Sequence, residues 1–251
     1  MRKRSLVVFG GSKKSLHFIR ALNPQSVFLH DDVPSKKKYI DVLNTLDHQA
    51  HDIICVNWPF ITPESNLMSG NIYTIHESLL PSFSGCAPVN WSIIEGSPLF
   101  GITLFRQTKE VDSGQIIFQD GFYMNDANAV SVFKRMKISY EKCANFILAN
   151  ELQDVRSLAG FGNRSYYPKR TPEHNVIEDD FDPDRLVNLF LSTTSDYPLI
   201  YKSNGERYKI YAINVFGNII KYFPLGKPPL NVLKIEFCDS NFILSGVVIN
   251  D

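Results

Sequence analysis

The sequence predicts an α/β protein, an open parallel sheet covered by helices and followed by a small β-rich C-terminal part. Short apolar runs, typical of strands buried on both faces, alternate with amphipathic segments through the first part of the chain. After Gly160 the sequence becomes rich in aromatic and basic residues and is interrupted by prolines. After Tyr197 several runs of strand-forming residues follow one another. We therefore expect a main domain at 1–160, a crossing segment and helix at 161–196, and a β-rich subdomain at 197–251.

In the first part of the chain, strands and helices are expected to alternate. Hydrophobic spacing predicts strands at 6–9, 27–29, 53–56 and 73–75, and helices at 13–22, 39–46 and 63–68. A helix at 88–95, strands at 100–105 and 115–123, and a long helix at 130–148 follow. The apolar stripe of that helix, which includes Met136, Tyr140 and Cys143, is interpreted as core packing.

In the last part of the chain, the pattern predicts mostly strands. Residues 161–172 are expected to cross without regular structure, and 183–191 to form a helix. Strands are expected at 199–201, 208–216, 219–223, 233–237 and 242–249.

Composition narrows the classes of function. The chain has 251 residues, 44% of them apolar, and a formal net charge of zero with scattered basic residues. A partner rich in phosphates usually requires a basic face, so no nucleic acid is expected. The four cysteines form no CxxC pair, which predicts reduced thiols and no metal site. No apolar run approaches the length of a membrane span, so we expect a cytoplasmic protein without a membrane partner.

A candidate site lies between Thr74 and Asp112. His76 follows a short β-branched run and precedes a Pro/Ser/Gly loop, and Asp112 stands at the end of another strand. Open parallel sheets bind ligands beyond the carboxyl ends of their strands, so both side chains are expected in one crevice. An imidazole can both accept and donate a proton, and Asp112 would orient that of His76.

The first turn, Gly10-Gly11-Ser12, offers an alternative. It lacks the third glycine of the dinucleotide-binding pattern GxGxxG, although Asp31 lies where a ribose-binding acid would stand. An NAD-dependent oxidoreductase therefore stays open as an interpretation, but a tight turn between strand and helix is preferred.

The order of residues around His76 resembles the folate-dependent formyltransferases. That family carries Asn-x-His, a Ser-Leu-Leu-Pro loop, and an Asp in a Val/Leu-Asp-Ser/Thr/Ala-Gly turn. The matching positions here are His76, Ser78, Leu79, Leu80, Pro81, Gly85, Pro88, Gly101, Thr103 and 111–114. The resemblance implies a Rossmann-like formyltransferase domain with His76 and Asp112 as catalytic residues and no metal.

One position departs from the family pattern. Thr74 stands where the family has the Asn whose amide donates to the developing oxyanion. Three outcomes stay open: the Thr74 hydroxyl or a water on it donates, another group such as Asn57 replaces it, or the chain binds ligands without turnover. Losing an oxyanion donor costs about 2.7–4 kcal/mol of transition-state stabilisation.

The resemblance also implies the ligands. The formyl donor would be N10-formyltetrahydrofolate, bound between the loop Asn57-Trp58-Pro59-Phe60 and the turn at Val111-Asp112. Trp58 and Phe60 are equally interpreted as loop aromatics folded onto the core.

The acceptor is inferred from residues 166–173 and 199–211, which resemble segments shared by methionyl-tRNA formyltransferase and the sugar-nucleotide N-formyltransferases. The resemblance implies a nucleotide-linked amino sugar such as dTDP-4-amino-4,6-dideoxyglucose, used for surface polysaccharide (O-antigen of lipopolysaccharide), and a homodimer. Tyr167 would stack on the base, Lys169 or Arg170 would pair with the diphosphate, and Ser78 would contact the substrate. Methionyl-tRNA and glycinamide ribonucleotide formyltransferases are less favoured alternatives.

Overall fold

A computed structural model describes residues 4–11, 13, 15–68, 70–125, 127–160, 162–178, 182–194, 197–215, 218–221, 233–236 and 242–248. These residues form two compact units. The first contains Met1–Pro88, Leu99–Tyr123 and Phe133–Tyr167, and the second contains Val89–Pro98, Met124–Val132 and Pro168–Asp251. Within the described ranges, no helix is long and apolar enough to cross a membrane.

The helices and strands follow in chain order. The α-helices are Ser15–Leu22 (α1), Lys36–Thr45 (α2), Glu64–Leu67 (α3), Pro88–Ile94 (α4), Ala129–Ala149 (α5) and Pro183–Leu191 (α6). The strands of the first unit are Ser5–Gly10 (β1), Ser26–Leu29 (β2), His51–Val56 (β3), Ile72–His76 (β4), Ser84–Gly85 (β5), Leu99–Arg106 (β6), Ile116–Tyr123 (β7) and Tyr166–Tyr167 (β8). Those of the second unit are Val176–Ile177 (β9), Ile200–Ser203 (β10), Glu206–Val215 (β11), Asn218–Lys221 (β12), Leu233–Glu236 (β13) and Phe242–Val248 (β14).

The main sheet has the strand order β2-β1-β3-β4-β6-β7. The first four strands of this order are parallel, and β6 and β7 are antiparallel to their neighbours. This confirms the predicted α/β class with one refinement. The connection between β6 and β7 is a short turn, which can only join antiparallel strands, so the sheet is mixed at that edge.

The core of the first unit lies under the parallel strands. Residues 6–10 of β1 and 52–56 of β3 are all buried, as expected for strands covered on both faces. Tyr39 and Leu43 of α2 pack on one face, and the Ser35 hydroxyl accepts a hydrogen bond from the Lys38 amide at the start of that helix. The predicted stripe of α5 is buried at Met136, Tyr140 and Cys143, which confirms core packing.

The second unit carries a smaller sheet with the order β13-β14-β11-β10-β9, and β12 pairs with β11. Its strands lie where the β-type runs predict them, which confirms the small C-terminal β part. Ser12, Cys238 and the predicted strand ends at Phe216, Phe223, Phe237 and Ile249 lie outside the described residues.

The prediction that 161–172 has no regular structure is wrong at β8. Tyr166–Tyr167 pairs in parallel with Ser84–Gly85. Each strand has only two residues, and the two strands lie far apart in the chain, so no local sequence pattern predicts them. This small ladder, β5–β8, lies beside the candidate site.

Candidate active site

His76 ends β4 and is held by the loop that follows. Its side chain is 8% exposed, and Thr103 of β6 lies opposite it in the sheet. The Nε2 atom lies 2.8 Å from the carbonyl oxygen of Phe83. A carbonyl can only accept, so Nε2 carries the proton and donates it. The other ring nitrogen, Nδ1, can therefore accept a proton.

Asp112 reaches that nitrogen from the turn between β6 and β7. Its backbone is left-handed, with φ of 52°. One carboxylate oxygen, Oδ2, lies 3.7 Å from Nδ1 of His76 and accepts a hydrogen bond of 2.7 Å from the Gly85 amide. The predicted meeting of imidazole and carboxylate in space is therefore observed, and a third element fixes the carboxylate.

Gly85 supplies that amide because glycine alone fits its position. Its φ is +100°, and a Cβ there would lie 2.0 Å from the carbonyl oxygen of Tyr167 across the β5–β8 ladder. The ladder thus sets the position of the Gly85 N–H, and through it that of Asp112.

A buried hydroxyl holds the rest of the loop after β4. The Oγ1 atom of Thr103 donates to the Ser78 carbonyl at 2.7 Å and accepts from the Leu80 amide at 3.0 Å and the Gln119 amide at 2.9 Å. The Ser78 hydroxyl donates to the Ser82 carbonyl at 2.7 Å and is buried. The predicted substrate residue Ser78 therefore shapes the loop in this structure.

Thr74 lies on the same face of β4 as His76, because side chains two residues apart on a strand share a face. It is the one residue of β4 that is not buried. Its Oγ1 atom accepts a hydrogen bond of 2.5 Å from the side-chain amide of Gln107.

Asn57 contacts a different residue, Tyr140. Its φ is 50°, and its side chain lies against the hydroxyl of Tyr140 on α5. That hydroxyl donates to Glu77 at 2.7 Å, and burial raises the pKa of Tyr140. The contact ties the loops after β3 and β4 to α5, and it gives no support to Asn57 as a replacement oxyanion donor.

The two aromatic residues of the same loop pack on the core. Trp58 lies 5.2 Å from the Phe9 ring and 5.3 Å from the Tyr39 ring, and 5.6 Å from Phe60, measured between ring centroids. Both are partly buried against the apolar cluster that includes Phe9, Tyr39 and Leu43, called here the α2 cluster. Of the two interpretations of Trp58 and Phe60, this geometry favours packing.

Gly11 explains the glycines of the first turn. Its amide donates to the Val56 carbonyl at 3.0 Å, and a Cβ would lie 1.5 Å from the carbonyl oxygen of Asn57. The glycine therefore permits two loops to approach closely, in agreement with the preferred interpretation of a tight turn.

The remaining predicted residues of the first unit lie close to Asp112. Val111 is 45% exposed in the same turn, and its carbonyl accepts from Arg164 and Ser113. The Tyr167 ring stacks on the Phe83 ring at 5.3 Å.

Two predicted residues lie in the second unit. Lys169 is exposed. Arg170 is buried, with its guanidinium bonded to the Ser192 carbonyl and the Asn175 amide oxygen and placed 4.8 Å from the Tyr197 ring centre. Burial lowers its pKa to about 10. The prediction that Arg170 pairs with a diphosphate disagrees with this burial, and Lys169 is the cation that remains accessible.

A cavity in the second unit contains none of the predicted site residues. It has a volume of about 620 Å³ and is lined by charged and apolar side chains, among them Glu173, Arg185 and Lys202. Its lining includes His174 and Asp182 but neither His76 nor Asp112, so the candidate site is kept at His76.

Sequence reasoning did not identify Phe83, Gly85 and Gln107 as site groups. Phe83 and Gly85 act through backbone atoms, which leave no side-chain pattern. Gln107 acts on Thr74 from the end of β6, a contact that only strand pairing reveals.

Comparisons with known proteins identify relatives of this chain. The model of the formyl transferase family matches residues 11–136. The chain is 28% identical over 256 residues to the bifunctional polymyxin resistance protein ArnA of Wigglesworthia glossinidia brevipalpis. That match covers 92% of this chain and 37% of ArnA, so the chain spans little more than a third of that protein.

Two solved structures share the fold. HypX from Aquifex aeolicus, in complex with tetrahydrofolic acid, is 17% identical with a TM-score of 0.72, over 97% of this chain and 44% of HypX. WlaRD, a sugar 3N-formyl transferase crystallised in the presence of dTDP and 5-N-formyl-THF, is 16% identical with a TM-score of 0.67, over 100% of both chains. The family match covers half of the chain and includes His76 and Asp112, and the chain belongs to the formyl transferase family.

Proposed function

We propose that this protein transfers the formyl group of N10-formyltetrahydrofolate to the amino group of a nucleotide-linked amino sugar, such as dTDP-4-amino-4,6-dideoxyglucose, for a surface polysaccharide. The observation that carries the proposal is the approach of Asp112 Oδ2 to His76 Nδ1, at 3.7 Å. Membership of the formyl transferase family supports the reaction. The likeness to WlaRD over the whole chain supports the class of acceptor.

The reaction moves one proton from the amine to the folate nitrogen that leaves. As the amine nitrogen bonds to the formyl carbon, Asp112 accepts the proton of the ammonium, and negative charge develops on the formyl oxygen. Asp112 passes this proton to Nδ1 of His76. When the bond from carbon to the leaving nitrogen breaks, that nitrogen takes the proton from Nδ1, and both side chains are back in their starting forms.

The surroundings fit these roles. The Phe83 carbonyl holds Nε2, so the ring presents Nδ1 toward Asp112. The Gly85 amide donates to Asp112 Oδ2 and fixes the position of the carboxylate. The His76 and Asp112 side chains are 8% and 10% exposed, which leaves them accessible while limiting water.

The formyl donor would lie beside the Asp112 turn. The donor supplies the formyl group and a large flat ring system. Val111, exposed at 45%, offers apolar surface there, next to the carboxylate. Asn57, Trp58 and Phe60 would contribute the loop after β3, in which Trp58 and Phe60 pack on the core.

The acceptor would lie near the β5–β8 ladder. Tyr167 pairs with Gly85, whose amide holds Asp112, so its position is tied to the catalytic carboxylate. Lys169 follows two residues later with an exposed ammonium that can pair with a diphosphate.

A second candidate is a binding module that keeps the fold without turnover. The observation that favours it is Thr74, a hydroxyl where the resemblance places a carboxamide. The two candidates differ in product formation, not in ligand binding.

The test is product formation, measured by mass spectrometry of the amino sugar after incubation with N10-formyltetrahydrofolate and a panel of dTDP-linked amino sugars. The wild type is expected to yield formylated product, and His76→Gln to lower kcat about 10²–10⁴-fold, as for loss of a general acid–base. The control is His51→Gln, because His51 begins β3 at the opposite edge of the parallel strands and should retain activity within about twofold.

Two results would contradict the enzyme. Folate binding by calorimetry with no product from the wild type, but product from Thr74→Asn, would establish the binding module with a degenerate site. No product from either protein with any amine would remove the formyl transfer proposal.

A further inference from the structure

The hydroxyl of Thr74 is not alone on its face of β4. Gln107 directly follows β6, and its backbone amide donates to the Ile72 carbonyl at 2.8 Å. It therefore lies opposite Ile72, which shares a face with Thr74. From there its side-chain amide reaches along the sheet to Thr74 Oγ1, at 2.5 Å.

A third side chain fixes the Gln107 amide in place. Cys55 is paired with Thr74 in the parallel ladder between β3 and β4. Gln107 also forms a side-chain hydrogen bond with the Cys55 thiol, which is itself held at 3.5 Å by the hydroxyl of Tyr39. The Gln107 side chain is thus held by both Cys55 and Thr74.

The direction of the bond decides what Thr74 can do. A hydroxyl has one proton to donate and accepts through its lone pairs. Because Thr74 Oγ1 accepts from Gln107, its own proton stays available for another acceptor. A donor behind a hydroxyl also polarises it and makes it a better donor in turn.

That proton lies where the family needs one. Thr74 is two residues before His76 on the same face, and it is the partly exposed member of β4. We propose that Gln107 is a positioning residue that polarises and orients the Thr74 hydroxyl, and that the pair replaces the missing carboxamide donor to the oxyanion. The inference rests on the proposed formyl transfer and adds to it the source of the oxyanion donor.

The experiment is a double-mutant cycle on kcat with the amino sugar and N10-formyltetrahydrofolate. Gln107→Met keeps the side chain's length and removes the amide, and should lower kcat about 10²-fold, in the range seen for loss of one oxyanion donor. The KM of both substrates should stay within about threefold, because the contact is needed in the transition state. Gln107→Glu should be as slow, since a carboxylate would accept the Thr74 proton instead of donating.

Rescue separates this role from a structural one. In a Thr74→Asn background, where the family amide is restored, Gln107→Met should no longer lower kcat. The matched control is Gln25→Met, because the Gln25 side chain binds the Leu6 amide at the far end of the sheet and takes no part in the site. Unfolding midpoints of all variants show whether each protein is folded.

The failures are distinguishable. Wild-type turnover with an unchanged kcat in Gln107→Met, or an equal loss in the Thr74→Asn background, would overturn the role of Gln107 and leave the proposed function intact. Absence of product from wild type, Thr74→Asn and the double variant would overturn both.

Discussion

The loops that leave β3 and β4 start at the same edge of the sheet and differ in what they hold. After β3, Trp58 and Phe60 fold onto the α2 cluster and close the surface with aromatic rings. After β4, the chain is held by polar bonds through Thr103, Phe83 and Gly85, and His76 and Asp112 meet among them. The carboxyl end of a parallel strand can therefore hold a site, but the side chains of the following loop decide whether one forms there.

The strongest test of this contrast removes the charge of Asp112, the carboxylate that meets His76 at the end of β4. Asp112→Asn retains an oxygen that accepts from the Gly85 amide but no longer takes a proton from the amine. We expect kcat to fall about 10²–10⁴-fold with little change in the free energy of unfolding. The measurements are product formation and urea unfolding.

Asp120→Asn is the matched control for that variant. Asp120 lies in β7 of the same hairpin and binds Ser139 and Lys142 instead of His76. It should lose some stability and keep its activity. Equal kcat in Asp112→Asn and wild type would show that the carboxylate near His76 is not a proton acceptor.

A substitution in the loop after β3 should lower the free energy of unfolding more than it lowers activity. Trp58→Ala removes a ring that contacts Phe9, Tyr39 and Phe60. We expect the free energy of unfolding to fall by about 3 kcal/mol, the low end for a buried aromatic because Trp58 is partly exposed. Urea unfolding measures it. Loss of folate binding with an unchanged unfolding midpoint would show instead that Trp58 contacts the ligand.

The smallest expected effect is a pH dependence of the free energy of unfolding, caused by Cys55 of β3, which pairs with Thr74 of β4. Burial raises the pKa of the Cys55 thiol from 9.0 to about 11. The folded protein holds this proton more tightly, so the stabilisation is complete below pH 9.0 and is lost as pH rises to about 11. The loss is at most about 3 kcal/mol, since one pKa unit is about 1.4 kcal/mol.

Unfolding in urea between pH 8 and 11, with Cys55→Ala beside wild type, isolates this contribution. The variant should show a shallower decline of stability with pH, and Cys86→Ala, which changes an exposed thiol, should follow wild type. Identical declines in all three proteins would mean that Cys55 is not shielded as the structure shows.

Much of the fold follows from local patterns. The buried runs of β1 and β3 and the stripe of α5 follow from hydrophobic patterns, and all three elements lie where those patterns predict them. The two-residue strands β5 and β8 could not be predicted in this way, because only their pairing with each other, across a long stretch of chain, defines them. Arg170 shows the same limit, since its sequence neighbours are basic and aromatic but its surroundings in space are buried.

By itself, the sequence determined the α/β class, the family resemblance and the prediction that His76 and Asp112 meet in one site, because motif spacing and hydrophobic period are properties of the chain. Only the tertiary structure decided how those groups are held. The Phe83 carbonyl, the Gly85 amide and the Gln107 amide are brought to them by strand pairing and loop packing, and hydrogen-bond geometry across distant segments has no counterpart in local sequence.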